Sequence, residues 1–145
     1  MKFKELYDVA KSFINPRKIS KTTKVGMVAC ALETDNGNIY TGVCAEISCA
    51  LGYCAEQAAV SSMITAGDSS IKKIVAVYRD GKIIAPCGKC RELLFHVNHD
   101  NYYTTQIMLS ADKIVKLCDI LPESWYLDIE TIRDNNVKKM GDDYV

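Results

Sequence analysis

Two cysteine segments, each set to open a helix, lie on either side of one apolar strand, and this limits the fold more than any other feature of the chain. Cys54-Ala55-Glu56 begins the run CAEQAAVSSMITAG, which is rich in helix formers and stops at Gly67, a residue suited to a left-handed C-terminal cap. Pro86-Cys87-Gly88-Lys89-Cys90 leads into Arg91 to Val97, where helical spacing resumes. Between them Ile74 to Tyr78, IVAVY, reads as a buried strand. A helix, strand, helix unit of this kind brings two helix N-termini together at one edge of a sheet.

The flanking sequence extends the pattern. Phe3, Leu6, Tyr7, Val9, Ala10, Phe13 and Ile14 form a helical stripe closed by Asn15 and Pro16. Val25 to Leu32 is a short apolar run, Asp35-Asn36-Gly37-Asn38 is a turn, and Ile39 to Val43 resumes a strand, so the region predicts a β-hairpin. Asp80-Gly81 turns the chain into a short extended piece, Ile83 to Ala85, and Ile107 to Leu109 and Ile114 to Leu117 suggest later strands. Strands alternating with helices predict an α/β sandwich whose mixed sheet has an antiparallel early hairpin and parallel later strands. Residues 1–145 read as a single domain, with a polar tail from about 126–145 that holds one short helix around Ile129 to Lys138.

Composition narrows the function. A domain of 145 residues buries roughly two-thirds of its unfolded surface, so it needs no staple. Eighteen Lys and Arg balance eighteen Asp and Glu, which leaves no net field to gather a nucleic acid and favours a small neutral substrate. No segment is long and apolar enough to span a membrane, and the N-terminus lacks the apolar run of a secretory signal. Seven cysteines are an odd set for a disulfide framework, and they predict a cytoplasmic chain in which thiols serve metal binding or catalysis.

Cys87 and Cys90 admit three readings. They could be a redox pair at a helix N-terminus, a buried pair with no chemistry, or two ligands of a metal whose third is Cys54. Zinc accepts three protein ligands and leaves a fourth position for water in a catalytic site. For Cys54 and Glu56 to face one ion, Cys54 must stand at or before the first helical residue. Cys30 and Cys118 lie in apolar runs and read as small core residues. Cys44 or Cys49 as a fourth ligand would instead close the site, giving a structural zinc module that binds partners without chemistry. His96 and His99 lack the spacing to join the pair and read as surface or helix-end residues.

Cys54-Ala55-Glu56 and Pro86-Cys87-Gly88-Lys89-Cys90-Arg91 together resemble the zinc-dependent cytidine deaminase superfamily, in its all-cysteine form shared by small nucleoside deaminases and blasticidin S deaminases. The resemblance extends more weakly from VACALETDNGNIYTGV at 28–43 to DILPESW at 119–125. It implies a three-layer sandwich with a mixed five-stranded sheet, a homotetramer, and a small-molecule nucleoside substrate of pyrimidine salvage. It also implies Zn²⁺ on Cys54, Cys87 and Cys90, with Glu56 carrying protons from a water to the ring nitrogen and the departing amine. Hydrolytic deamination of cytidine or deoxycytidine is the activity implied, and a modified cytosine nucleoside such as blasticidin S is the alternative.

The chain departs from that pattern at several places. Relatives have Arg directly after the catalytic Glu where this chain has Gln57, so Gln57 and Arg91 become the groups expected to support the thiolates. Relatives grip the ribose with an Asn-x-Glu pair; here Cys44 replaces the Asn and Glu46 remains. Cys44, Glu46 and Ala55 are the expected substrate contacts, Gly26 and Met27 stand where relatives place an aromatic residue, and Trp125 is expected to reach toward a neighbouring subunit's site.

Overall fold

The central apolar run is apolar on consecutive residues because the strand it forms is covered on both faces. In the computed structural model, which describes residues 1–127, strand β2 (Thr23–Thr34) buries Cys30 and Leu32 on one side of the sheet and Ala31 on the other. Strand β4 (Ile71–Tyr78) alternates in the same way, Ile74 to one side and Val75 and Val77 to the other. Helix α1 (Phe3–Ser12) covers the Ala31 face with Leu6 and Ala10. The opposite face carries α2 (Ala55–Thr65), α3 (Gly88–Val97) and the short helices α4 (Asn101–Thr104) and α5 (Leu117–Ile120). The result is the expected three-layer sandwich.

The sheet is mixed and, among the described residues, holds seven strands, not five. Strand β3 (Ile39–Ile47) lies along one side of β2, and β4 lies along the other. Because β3 also pairs with Thr23 to Val25, the extra strand β1 (Arg17–Ser20), which pairs with that same stretch, must continue the lane of β4. The two-residue β5 (Ile83–Ile84) likewise shares the lane of β6 (Gln106–Ser110), since both pair with the free side of β4. The sheet is thus five lanes wide, with two lanes filled by two pieces each. Neither β1 nor β5 has an apolar period of its own, and each is specified by its partner strand.

The expectation of parallel later strands holds for β6 against β4 and fails for β7 (Lys113–Lys116), which is antiparallel to β6. Only Ala111 and Asp112 separate the two, too few for a crossover. Leu117, expected in that strand, instead begins α5. The N-terminal hairpin turns as expected, with Gly37 at φ 82° and the Gly37 N–H donating to the Thr34 carbonyl at 2.9 Å. The short helix expected around Ile129 to Lys138 lies outside the described residues. Among the described residues, no helix is long and apolar enough to cross a membrane.

Two glycines position the edge where the cysteine segments meet. Gly42 in β3 lies against the first turn of α2; a Cβ there would stand 2.6 Å from the Ala55 carbonyl oxygen and 2.6 Å from the Ala58 methyl. Its missing side chain lets the start of α2 settle on the hairpin. Gly26, at φ 79°, enters a break in the β2 and β3 register between Val25 and Ala29. That bulge frees the Val28 N–H from the ladder, and it donates to Cys44 Sγ at 3.2 Å.

Candidate metal centre and adjoining cavity

Cys54 is the N-cap of α2 and Cys87 the N-cap of α3, each with extended backbone, so the geometric demand on Cys54 is met. Cys90 lies one turn into α3. Glu56, two residues past its cap, stands in the first turn of α2 and is buried, with 5 % of its surface exposed. The sequence brings the two caps together because β4 carries the chain from the end of α2 back to the start of α3.

The sulfurs of Cys54, Cys87 and Cys90 all lie within 4.8 Å of one another, with Cys54 and Cys87 3.8 Å apart. Thiolates held at about 2.3 Å by a tetrahedral ion sit roughly 3.8 Å from each other, whereas a disulfide needs about 2.05 Å. All seven cysteines are free. The donor set therefore fits zinc, and the convergence of a third sulfur on the Cys87 and Cys90 pair favours a metal site over a two-cysteine redox pair. Among the described residues no fourth ligand joins this group. Cys44 lies on the cavity wall, and Cys49 is exposed in a tight loop at φ 63°.

The electrostatics favour a cation. Burial pushes the Cys90 thiol well above its ordinary range, and the nearby Glu56 carboxylate adds to this. Burial raises Cys54 too, with the Cys87 thiol and Glu56 contributing. For Cys87 burial acts in the same sense, but the Cys90 N–H and the Cys90 and Cys54 thiols donate to its sulfur and bring it below its ordinary range. Three thiols this close cannot all ionise alone, and a dication removes that conflict. Glu56 is also raised: burial dominates, and the hydrogen bonds of its own N–H and of the Cys90 thiol oppose it only in part. A carboxyl raised in this way is suited to holding and passing a proton.

A cavity of about 280 Å³ opens beside the sulfurs. Its wall includes Cys44, Glu46 and Ala55, all expected from sequence, together with Glu56, Cys54 and Cys87. Val28, Ala45, Tyr53, Ile84 and Ala85 complete it. Sequence reasoning missed these five. Tyr53 and Ala85 were legible as neighbours of the two cysteine motifs, whereas Val28 reaches the cavity through the bulge at Gly26, which carries no short-range signal. Tyr53, on the cavity wall, is 45 % exposed, and Leu51, two residues before it, is 67 % exposed.

The expected supporting residues have other duties. The Gln57 carboxamide oxygen accepts the Cys54 N–H at 3.1 Å, so Gln57 caps the helix. The Arg91 guanidinium donates to the Pro86 carbonyl at 2.9 Å and to the Ile120 carbonyl at 2.8 Å, bracing the cysteine loop against α5. Trp125 stacks on His96, 5.3 Å between ring centres, away from the cavity, and is 52 % exposed. His96 pairs with Glu92 at 3.1 Å, and neither it nor His99 joins the sulfurs. Cys30 is buried between sheet and α2, and Cys118 packs at the core's edge.

Residues 4–106 match the cytidine and deoxycytidylate deaminase zinc-binding region. The cytidine deaminase of Mycobacterium tuberculosis is 29 % identical over 103 residues, covering 70 % of this chain and 74 % of that protein. The crystal structure of cytidine deaminase from Burkholderia pseudomallei superposes with a TM-score of 0.68 at 26 % identity, covering 85 % of this chain and 98 % of that one. That of Mycobacterium leprae gives 0.70 at 23 %, covering 85 % and 99 %.

Proposed function

The chain belongs to the cytidine and deoxycytidylate deaminase family, a zinc-binding family, and from that premise we propose that it hydrolyses the exocyclic amino group of a cytosine nucleoside, cytidine or deoxycytidine. The supporting observation is the convergence of three sulfurs at two helix N-termini with a buried, proton-holding Glu56 on the wall of the same cavity. Cys54, Cys87 and Cys90 would hold the ion. Zinc supplies, when bound, a Lewis acid that activates water at neutral pH.

The chain's own residues account for the remaining steps. Glu56 takes a proton from the attacking water, whose oxygen bonds to C4 of the pyrimidine. It delivers protons to the ring nitrogen and to the amine, the C4–N bond breaks, ammonia leaves and a carbonyl remains. Water and cytosine become ammonia and uracil, so atoms balance. Burial, which raises the Glu56 pKa, favours the protonated form that carries the proton between the two halves of the cycle. Gln57 fixes Cys54 through the cap, Arg91 fixes the Cys87 loop, and Val28, Ile84 and Ala85 give the cavity an apolar wall.

A panel of free nucleosides tests the reading by ammonia release: cytidine, deoxycytidine and blasticidin S. Turnover of cytidine or deoxycytidine supports it. Turnover of blasticidin S alone would move the substrate to a modified nucleoside, a reading to which Cys44 in place of the carboxamide lends weight. The exposed Leu51 and Tyr53 support the assembly of several copies, which the resemblance gives as a homotetramer, and sedimentation measures that directly.

A further inference from the structure

The charge balance of the whole chain hides a local excess. Residues 17–24, which form the β1 and β2 hairpin, hold Arg17, Lys18, Lys21 and Lys24 and no acid. Lys18, Lys21 and Lys24, with the hydroxyls of Thr22, Thr23 and Ser48, line a cleft of about 270 Å³. Among the described residues none of these lysines is in an ion pair. Glu46 belongs to the wall of this cleft and to the wall of the cavity beside the sulfurs, so the two adjoin at that residue.

We propose that this cleft is a subsite for a phosphate monoester carried by the substrate, which makes a cytosine nucleotide a better substrate than the bare nucleoside. The inference rests on the deaminase reading above and extends it. From Cys44 in the cavity to Ser48 in the cleft, just past the end of β3, is roughly 13 Å at strand rise, a reach of the same order as a nucleotide. Three ammonium groups against the one Glu46 carboxylate leave two positive charges, and a phosphate monoester carries about −1.5 to −2 at neutral pH. Lys24 faces Glu46 directly across the β2 and β3 pair, so that carboxylate is partly answered before any ligand arrives. Hydroxyls add donors that a phosphate accepts and a neutral sugar does not require. The cleft, of about 270 Å³, has room for a phosphate group.

The test compares kcat/KM for cytidine, cytidine 5′-monophosphate, cytidine 3′-monophosphate and a single-stranded oligodeoxycytidylate on the zinc-loaded protein. Calorimetry of the same compounds, and of inorganic phosphate, on Glu56→Gln runs in parallel. One of the two monophosphates should exceed cytidine about tenfold at low salt, the sum of three exposed charge contacts, and the margin should shrink in high salt. Replacing the three lysines together (Lys18→Gln, Lys21→Gln, Lys24→Gln) should bring the ratio close to one. Cytidine equal to or better than both monophosphates would overturn the subsite, as would a ratio that survives the triple substitution or a preference for the oligonucleotide. Inorganic phosphate binding as tightly as either nucleotide would show an adventitious anion site and overturn it too. If no compound releases ammonia, the deaminase reading fails, and the binding arm still reports on the lysine cleft.

Discussion

Gly42→Ala puts the smallest possible wedge between the hairpin and the helix that carries Cys54 and Glu56. The new Cβ would meet the Ala55 oxygen and the Ala58 methyl at 2.6 Å and the Ala59 amide nitrogen closer still, where ordinary contact begins at 3.4 Å. The start of α2 must then retreat by roughly 1 Å, and overpacking of this size costs about 1–3 kcal/mol. The retreat acts on Ala55, between the Cys54 sulfur and the Glu56 carboxyl, so it misaligns both. A displacement near 1 Å at reacting groups can cost on the order of 10²-fold in rate. Urea denaturation with and without zinc measures the first effect, and ammonia release and chelator competition measure the second. Gly88→Ala is the control: nothing lies within 4 Å of its Cβ position at the start of α3, so it should be neutral or slightly stabilising. A Gly42→Ala protein as stable as the parent, with equal zinc affinity and turnover, would refute the close-approach argument.

Asn101, fully buried, accepts the Ile71 N–H at 2.8 Å and donates to the Leu94 and Ser69 carbonyls at 3.0 and 3.2 Å. Asn101→Ala strands three backbone groups, and a loss of about 3–5 kcal/mol in chemical denaturation is expected. Asp68 accepts hydrogen bonds from Asn38, Asn36 and Tyr40, at 2.8 to 2.9 Å, with Thr34 at 3.4 Å, and they hold its carboxyl below the ordinary range against a smaller opposing effect of burial. Its folded pKa is depressed, so its contribution is complete above the unfolded pKa and is lost as pH falls through the folded one. The urea midpoint should therefore drop on acidification through the carboxylate range, and Asp68→Asn should flatten that dependence.

The parts of the fold that sequence made legible are those with long apolar periods or strong punctuation: the hairpin around Gly37, the helix from Cys54 to Gly67, and the strand ending at Tyr78. The parts that escaped are specified from a distance. Strand β1 exists because β2 overruns β4 and offers it an open lane, and α4 is held by Asn101, whose three bonds reach residues 7 to 32 positions away. The direction of β7 was readable in principle from the two residues that separate it from β6. At the site, the three sulfurs and Glu56 were visible because chemistry fixes their types and spacing. The lysine cleft was hidden for the opposite reason: a balanced total charge says nothing about where the charges gather, and only the pairing of β1 with β2 brings Lys18, Lys21 and Lys24 around one space. Gln57 and Arg91, expected beside the thiolates, bond instead to backbone groups of the cysteine segments.

The central claim is that the three sulfurs hold the ion while Glu56 moves the protons, and one paired measurement separates those duties. Zinc content by mass spectrometry of the intact protein and ammonia release from cytidine are measured on the parent chain and on Glu56→Gln. The account predicts one zinc per chain in both and turnover in the parent alone, reduced by at least about 10³-fold in the variant. Equal turnover in the two proteins, with zinc bound in each, would contradict it.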